Sequence, residues 1–284
     1  MVFILSHLSG DPARLMVPPE ATNEDIETLR HALGLDRPLH IQYLDFIVHA
    51  IQGDFGTSLW QKLPTTQLIL ERFPATLELA LTAVILSIIV SIPLGIIAAV
   101  KKDSLQARSA MLFSVIGQSV PNFWLGIMMI YLFAVTLHWL PSSGRGTWQH
   151  LIMPAITLAI FPTARLSRLT RSSMLEVMNT PYIRTARAKG LSERVIIIRH
   201  GLKNAAIPLL TIVSLEIGAL LGGAIIIETV FSWPGLGRLV VQAVFARDFP
   251  LVQAAVFFIA TIFILINLVT DLLYAVIDPR IQYQ

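Results

Sequence analysis

The stretch Leu77–Val100, LELALTAVILSIIVSIPLGIIAAV, decides the fold class of this chain. Its only charged side chain is Glu78, which lies at one edge. A helix needs about 20 mostly apolar residues to cross a bilayer core of about 30 Å, so this stretch is long enough to span a membrane. It shows no sustained alternation of apolar and polar residues, which argues against a strand. We therefore predict a transmembrane helix here.

Four further apolar blocks have the same character, and with the first they make five predicted spans. Of the 284 residues, 55% are hydrophobic and only 14% are charged, and the mean hydropathy is +0.70. Ordinary soluble domains carry roughly 25% charged residues. These figures exclude a soluble enzyme and a disordered scaffold, and they predict an all-α, polytopic helical membrane protein. The other blocks are Ser109–Leu137, Leu151–Leu169, Ala205–Phe231 and Val252–Ile277.

The N-terminal part of the chain differs from these blocks. Residues 1–8 are apolar but too short to span, so we interpret them as the remnant of a first transmembrane helix, with an interfacial stub as the alternative. Residues 9–76 carry nine acidic and five basic side chains. We expect this stretch to be an extracytoplasmic segment with short helices. One helix begins with the capping residues Thr22–Asp25 and stops at Gly34, and a second covers residues 38–52.

The distribution of basic residues predicts the orientation. Three of the 21 lie at 101–108 and nine at 165–203, whereas 138–150 holds one and 232–251 holds two. Because Lys and Arg are retained on the cytoplasmic side, the first two stretches are expected inside and the other two outside. Five full spans then place the C-terminus in the cytoplasm.

A predicted cytoplasmic loop, residues 170–204, lies between two of the spans. Residues 182–189 have helical propensity, Gly190 can end that helix, and the pattern resumes at Arg194–Lys203. A short helix–glycine–helix segment between two spans has to lie in the membrane interface or dock on a partner. From composition alone, a basic loop held by anionic lipid remains an alternative.

This loop resembles the coupling loop of permease subunits of ABC importers. The general family pattern is Glu-Ala-Ala, three residues, Gly, nine residues and Ile-x-Leu-Pro, and Ala186, Gly190 and Leu202 match it. The variant RTARAKG over Arg184–Gly190 is similar to that of the dipeptide/oligopeptide/nickel branch, closest to its peptide and glutathione permeases. Six more segments resemble that branch: Gly10–Pro12, Leu33–Leu39, Gly53–Gly56, Phe73–Leu79, Glu228–Arg238 and Asp278–Arg280.

The resemblance implies a type I ABC importer permease fold with six transmembrane helices, the first truncated here, and a transmembrane permease domain over 77–281. In that family the coupling loop fits a cleft on the ATPase. We therefore expect a second homologous permease, two cytoplasmic ATPase subunits, an extracytoplasmic solute-binding protein and membrane lipid as partners, with no nucleic acid, in a bacterial inner membrane. The residues expected to couple to the ATPase are Arg184, Thr185, Ala186, Lys189 and Gly190, of which Gly190 supplies the turn.

The chain shows no catalytic, cofactor or metal motif of its own. It lacks the Gly-x4-Gly-Lys-Ser/Thr phosphate loop, so ATP is expected to be bound and hydrolysed by the partner subunits. The expected function is a permease subunit that forms the translocation pore for short peptides or peptide-like solutes by alternating access. A nickel importer permease is the alternative within the family. An ATP-independent secondary transporter is the less favoured alternative outside it.

Glu216 lies in the middle of the Ala205–Phe231 span. An ionisable group at that depth costs about 2.5–3.5 kcal/mol and normally faces a cavity or a polar partner. Glu216 is therefore either a group in the solute path, which could meet a peptide amine, or a structural group that is protonated or paired with a neighbouring helix. For Asn267 and Asp271, on the last span, a structural role is favoured.

Overall fold

The computed structural model describes residues 22–32, 36–102 and 104–277, together with Arg14. Within these residues the chain is helical, and an isolated β-bridge between Thr57 and Pro64 is the sole strand-like pairing. The all-α fold class is thereby confirmed. The predicted first-span remnant at 1–8 and the predicted helix stop at Gly34 lie outside the described residues.

The helices of the described residues follow one another with short connections. Two π-helical turns, Ile130–Thr136 and Ile196–Leu202, continue α5 and α8. The helices are α1 (Asn23–Ala32), α2 (Leu39–Ile51), α3 (Thr65–Val100), α4 (Leu105–Ser119), α5 (Asn122–Met129), α6 (Trp148–Met178), α7 (Pro181–Ala188), α8 (Glu193–Val195), α9 (Lys203–Val230), α10 (Leu236–Phe245) and α11 (Phe249–Ile277).

Among the described residues, three helices are long and apolar enough to cross a membrane alone: α3, α6 and the Phe249–Thr270 part of α11. Two bent helix pairs raise the number to five if each pair counts as one span. Leu105–Ser119 and Asn122–Thr136 meet at 103°, and Glu193–Ala206 and Pro208–Leu220 meet at 55°. Each of the five apolar blocks seen in the sequence overlaps one of these helices or pairs.

The sharp bend between α4 and α5 has a local cause. The sequence analysis treats residues 109–137 as one span, but the helix ends at Ser119 and Val120 is extended, with φ −85° and ψ 124°. A residue before proline is driven out of the helical region, and Pro121 itself lacks the N–H that would continue the helix. Pro121 therefore separates two helices instead of kinking one.

The chain forms two compact units. The first contains residues 1–76 and 234–262, and the second contains residues 77–233 and 263–284. In the first unit, α10 occupies a stretch that the sequence analysis assigns to a loop. It buries Leu236, Leu239 and Ala243 against side chains of α3 and α11. This spacing of apolar residues is typical of an amphipathic helix and was the available signal.

A buried carboxylate orders the loop before α3 in the first unit. Asp248 is fully buried and accepts hydrogen bonds from the Ser58 hydroxyl and from the amide of Trp60, the latter at 3.2 Å. Its other oxygen accepts the amide of Leu251 in the first turn of α11, at 3.3 Å. One side chain thus caps α11 and fixes residues 58–60, which are far away in the sequence.

Of the three helices that are long enough to span alone, α6 is the most buried. In its most apolar stretch 61% of the residues are buried, against 39% for α3 and 17% for α11. Close packing explains this: a Cβ added at Gly95 on α3 would lie 2.4 Å from the Cβ of Thr170 on α6. The hydroxyls of Ser114 and Ser167 form a buried hydrogen bond of 2.6 Å between α4 and α6. Small residues let these helices approach closely.

Candidate functional site

The segment expected to couple to an ATPase folds as a helix, a glycine turn and a second helix. Pro181 begins α7, a position where the missing N–H of proline is harmless. Lys189 ends the helix, and Gly190 follows with φ +76°, in the left-handed region that favours glycine. A Cβ added at Gly190 would meet nothing within 4 Å, so a substitution there is opposed by backbone conformation and not by crowding.

A small apolar core holds α7 in place. Ile183, Ala186 and Ile196 are buried together, and Met178 packs against them. Met178 is the last residue of α6, and Ile196 opens the π-helical turn that leads into α9. The segment is therefore packed directly on the ends of the two helices that it connects.

An ion pair spans the glycine turn. The Nε of Arg187 donates to Oε1 of Glu193 at 2.7 Å, and a second guanidinium nitrogen lies 3.4 Å from Oε2. This hydrogen bonding holds the pKa of the Glu193 carboxyl below its ordinary value and raises the pKa of Arg187. Both side chains are exposed, so the pair orients the turn while remaining accessible to solvent.

The five predicted coupling residues occupy two environments. Arg184, Thr185, Lys189 and Gly190 are exposed on the segment's surface. Ala186 is 7% exposed and faces the apolar core, so its side chain anchors α7 and does not face solvent. Their role in coupling remains a prediction.

The mid-span carboxylate of Glu216 has a cationic partner. The Nη1 of Arg165 on α6 donates to Oε1 of Glu216 on α9 at 3.0 Å. The Glu216 side chain is 6% exposed, whereas that of Arg165 is 47% exposed. The structure thus contains the paired arrangement, which was one of the two interpretations of Glu216.

Arg165 is a residue whose importance the sequence analysis missed. The sequence analysis puts Arg165 near the end of the Leu151–Leu169 span and counts it with the basic residues of 165–203, which are expected on the cytoplasmic side. However, α6 continues to Met178, so Arg165 lies well inside the helix. A usable signal existed, because a mid-span carboxylate requires a polar partner and Arg165 is the first cation in the preceding span.

A third ion pair ties the loop before α6 to α3. The Nε and one Nη of Arg145 donate to Oε2 of Glu78 at 2.9 and 2.6 Å. The guanidinium carbon also lies 5.8 Å from the centroid of the Trp233 ring, a distance at which a cation–π attraction operates. The neighbouring amide of Gly144 donates to the carbonyl of Phe231 at 2.9 Å. Together these contacts fix the loop against α3 and the end of α9.

The exposed faces of α3 and α6 differ in chemistry. On α3, Leu81, Ile85, Ile89 and Ile97 are exposed at helical spacing, as expected for a face in contact with lipid. On α6, the exposed residues from Arg165 to the end of the helix are polar, and we call this set the α6 polar stripe. It comprises Arg165, Arg168, Ser172 and Glu176. Ser172 and Glu176 lie in the predicted cytoplasmic loop, whereas Arg165 and Arg168 lie inside the predicted span, where a charge is costly beside lipid and is stabilised by water or protein.

The remaining polar residues of the last span are partly described. The Asn267 side chain donates to the carbonyl of Phe263 at 2.9 Å, one turn earlier in the same helix. This local bond occupies one donor of the amide within its own span, in keeping with a structural role. The side chain of Asp271 lies outside the described residues.

Comparison with known proteins identifies similar families and relatives. Residues 91–283 match the family described as binding-protein-dependent transport system inner membrane component, and residues 1–80 match its N-terminal membrane component. The glutathione transport system permease protein GsiC of Salmonella typhimurium (strain LT2) is 47% identical over 285 residues, covering 100% of this chain and 93% of the relative. GsiC of Escherichia coli (strain K12) has the same identity and coverage.

Solved structures share the fold at lower identity. An inward-facing form of the MetNI methionine ABC transporter aligns with a TM-score of 0.64 and 19% identity, covering 75% of this chain and 97% of that one. An amino acid ABC transporter crystallised with histidines aligns with a TM-score of 0.54 and 18% identity, covering 76% and 95%. At these identities the likeness concerns the fold, which is that of ABC importer permeases.

Proposed function

The chain belongs to the family of binding-protein-dependent transport system inner membrane components, and on that premise we propose that it forms the translocation pore for short peptides or peptide-like solutes such as glutathione. The observation that carries the proposal is the 47% identity to glutathione transport permeases over the whole chain. The protein is a multi-pass inner membrane protein and an ABC importer permease, as the sequence analysis predicts.

The partners follow from this role. Permeases of this family work with ATPase and solute-binding components. We propose that two ATPase subunits, a second homologous permease and an extracytoplasmic binding protein complete the importer. In this assembly the partner subunits bind and hydrolyse ATP, the chain itself is non-catalytic and carries no cofactor, and its C-terminus lies in the cytoplasm.

Coupling is proposed to run through α7 and the turn at Gly190. Arg184, Thr185 and Lys189 are exposed and available to an ATPase. The apolar core under α7 packs on Met178 at the end of α6 and on Ile196 at the approach to α9. Displacement of α7 by an ATPase would therefore be transmitted to both helices, and the pore would alternate between outward and inward access.

Uptake by the complete importer tests the proposal. The permease pair, ATPases and binding protein are reconstituted in proteoliposomes, and uptake of labelled glutathione, a labelled dipeptide and ⁶³Ni²⁺ is followed with and without ATP. We expect ATP-dependent and binding-protein-dependent uptake of a peptide. Nickel uptake without peptide uptake would contradict the proposed substrate class. Uptake driven by an ion gradient without ATPases would contradict the proposed ATP-driven mechanism.

Substitutions at Gly190 test the coupling segment. Gly190→Pro imposes φ near −65° where φ is +76°, so we expect it to abolish uptake while the protein remains in the membrane. Gly190→Asn is the matched control, because asparagine tolerates the left-handed conformation, and it should retain at least half of the wild-type uptake. ATP-driven uptake is compared at equal amounts of membrane-inserted protein. Normal uptake by Gly190→Pro would refute the assignment.

A further inference from the structure

The guanidinium of Arg165 is only partly used by its partner. Within the described residues, its single hydrogen bond is the one from Nη1 to Glu216 Oε1 at 3.0 Å. Nearly half of the side chain, 47%, remains exposed. A guanidinium carries several N–H donors in a planar fork, and its paired edges match a carboxylate in bidentate geometry. The contact with Glu216 leaves such an edge available for a second acceptor.

The depth of this pair within its helices limits what can lie beside it. Arg165 is 17 residues from the first residue of α6 and 13 from the last, or about 26 and 20 Å along the helix axis. Glu216 is 13 and 14 residues from the ends of α9. Glu216 therefore lies in the middle of its span, whereas Arg165, four residues before the predicted span end at Leu169, reaches that carboxylate from nearer the cytoplasmic side. A charged edge inside the span is stable beside water or protein and costly beside lipid.

The surroundings favour a water-filled path. Toward the cytoplasmic end of α6, the polar stripe continues with Arg168, Ser172 and Glu176. This row joins Arg165 to residues of the predicted cytoplasmic loop and so offers a polar route by which water can reach the pair from that side. A single isolated interhelical ion pair would need no such row.

We propose that Arg165 binds the carboxylate of the transported solute, and that Glu216 positions the guanidinium and neutralises it between transport cycles. The inference rests on the proposed peptide transport and names the solute group that the pore recognises. The solute carboxylate accepts hydrogen bonds from the open edge of the guanidinium while Glu216 keeps its bond to Nη1. The Glu216 side chain is only 6% exposed, so the open edge of Arg165 and not the carboxylate is the group that the solute meets.

Uptake of a solute with and without its carboxylate tests this inference in the complete importer. The probes are a labelled peptide and its C-terminal amide, chosen as a pair that the wild type accumulates. Arg165→Gln keeps a donor for Glu216 but removes the charged fork. We expect Arg165→Gln to lower uptake of the peptide with its free carboxylate at least tenfold and uptake of the peptide amide less than threefold. Each variant is scored against the wild type for the same solute, so the preference of the binding protein cancels.

Two further variants separate binding from structure. Arg165→Lys retains a positive charge beside Glu216. We expect it to assemble normally and to retain part of the preference for the peptide that carries a free carboxylate. Arg108→Gln removes the same charge from an exposed position on α4, outside the α6 polar stripe, and should leave the ratio of peptide-acid uptake to peptide-amide uptake unchanged. Assembly of every variant is checked by co-purification of the ATPases and the second permease.

The outcomes are distinguishable. If Arg165→Gln and Arg165→Lys lower uptake of the peptide and of its amide equally, the pair has a structural role only. If uptake of both solutes is unchanged, Arg165 does not lie on the solute path. If the second permease no longer co-purifies with Arg165→Gln and Arg165→Lys, Arg165 lies in a subunit interface. Each result would overturn the inference, whereas a wild-type importer that accumulates no peptide would instead overturn the proposed function.

Discussion

Two arginine–glutamate pairs of the second unit, Arg145–Glu78 and Arg165–Glu216, have the same chemistry in different settings. Arg145 donates twice to Glu78, and the two side chains are 42% and 40% exposed. Arg165 donates once to Glu216, whose side chain is 6% exposed. A solvent-exposed pair contributes about 0–1 kcal/mol, whereas removal of the partner of a buried charge costs about 3–5 kcal/mol. Burial of one partner thus matters more than the number of hydrogen bonds.

This comparison also separates the functions of the two pairs. The donors of Arg145 are directed at Glu78 and the guanidinium lies near the Trp233 ring, so the pair secures a loop. The donors of Arg165 are mostly open, so that pair can receive a further acceptor. An ion pair with fewer internal contacts is therefore the better candidate for solute binding.

The largest expected effect comes from breaking the mid-span pair with Arg165→Leu. This variant leaves the Glu216 carboxylate buried without its cation, and we expect the free energy of unfolding to fall by about 3–5 kcal/mol. Denaturant unfolding of the detergent-solubilised protein measures the change. The double variant Arg165→Leu/Glu216→Leu removes both charges and should recover most of the loss. A double variant no more stable than the single one would contradict the assigned pairing.

A smaller effect is expected when the exposed pair is broken. Glu78→Gln should lower the free energy of unfolding by about 0–1 kcal/mol. A double-mutant cycle with Arg145→Gln gives the coupling energy. This energy should fall between about 0.1 and 1 M salt, as the Debye length shortens from about 10 to 3 Å. The corresponding cycle at Arg165 and Glu216 should change much less with salt, and equal salt sensitivity would mean that burial does not distinguish the pairs.

The smallest effect is expected at the pair of Arg187 and Glu193, whose side chains are 44% and 58% exposed. Arg187 lowers the pKa of Glu193, so the pair stabilises the folded turn above the ordinary glutamate pKa of 4.5, and this contribution is lost as pH falls through the lowered value. Hydrogen exchange of the amides around Gly190, compared between wild type and Glu193→Gln, measures it. The two proteins should differ at neutral pH and converge in acid. A difference that grows in acid would have the wrong sign.

Much of the fold could be predicted from local properties of the sequence. The five apolar blocks each overlap a spanning helix or a bent pair, because hydrophobicity over about 20 residues is a local property that lipid selects for. The left-handed Gly190 turn was expected for a similar reason, since glycine adopts positive φ readily. The break at Pro121 and helix α10 were missed, although their residues carry recognisable signals.

The extent of α6 shows where local reasoning fails. Its apolar character fades after Leu169, yet the helix continues to Met178 because Thr170 packs against Gly95 and Met174 is buried beside Ala99 and Ala205. These neighbours come from other helices. Tertiary packing can extend a helix beyond the end of its apolar run, and the run by itself holds no information about this packing.

The sequence by itself determined the helical class, the spans, the family and the depth of Glu216 within its span. The tertiary structure alone decided which cation meets that carboxylate and which face of α6 is exposed. Position along an apolar segment sets depth, but the rotation of each helix about its axis depends on the packing of all its neighbours. Arg165 and Glu216 are 51 residues apart and meet only because α6 and α9 pack side by side.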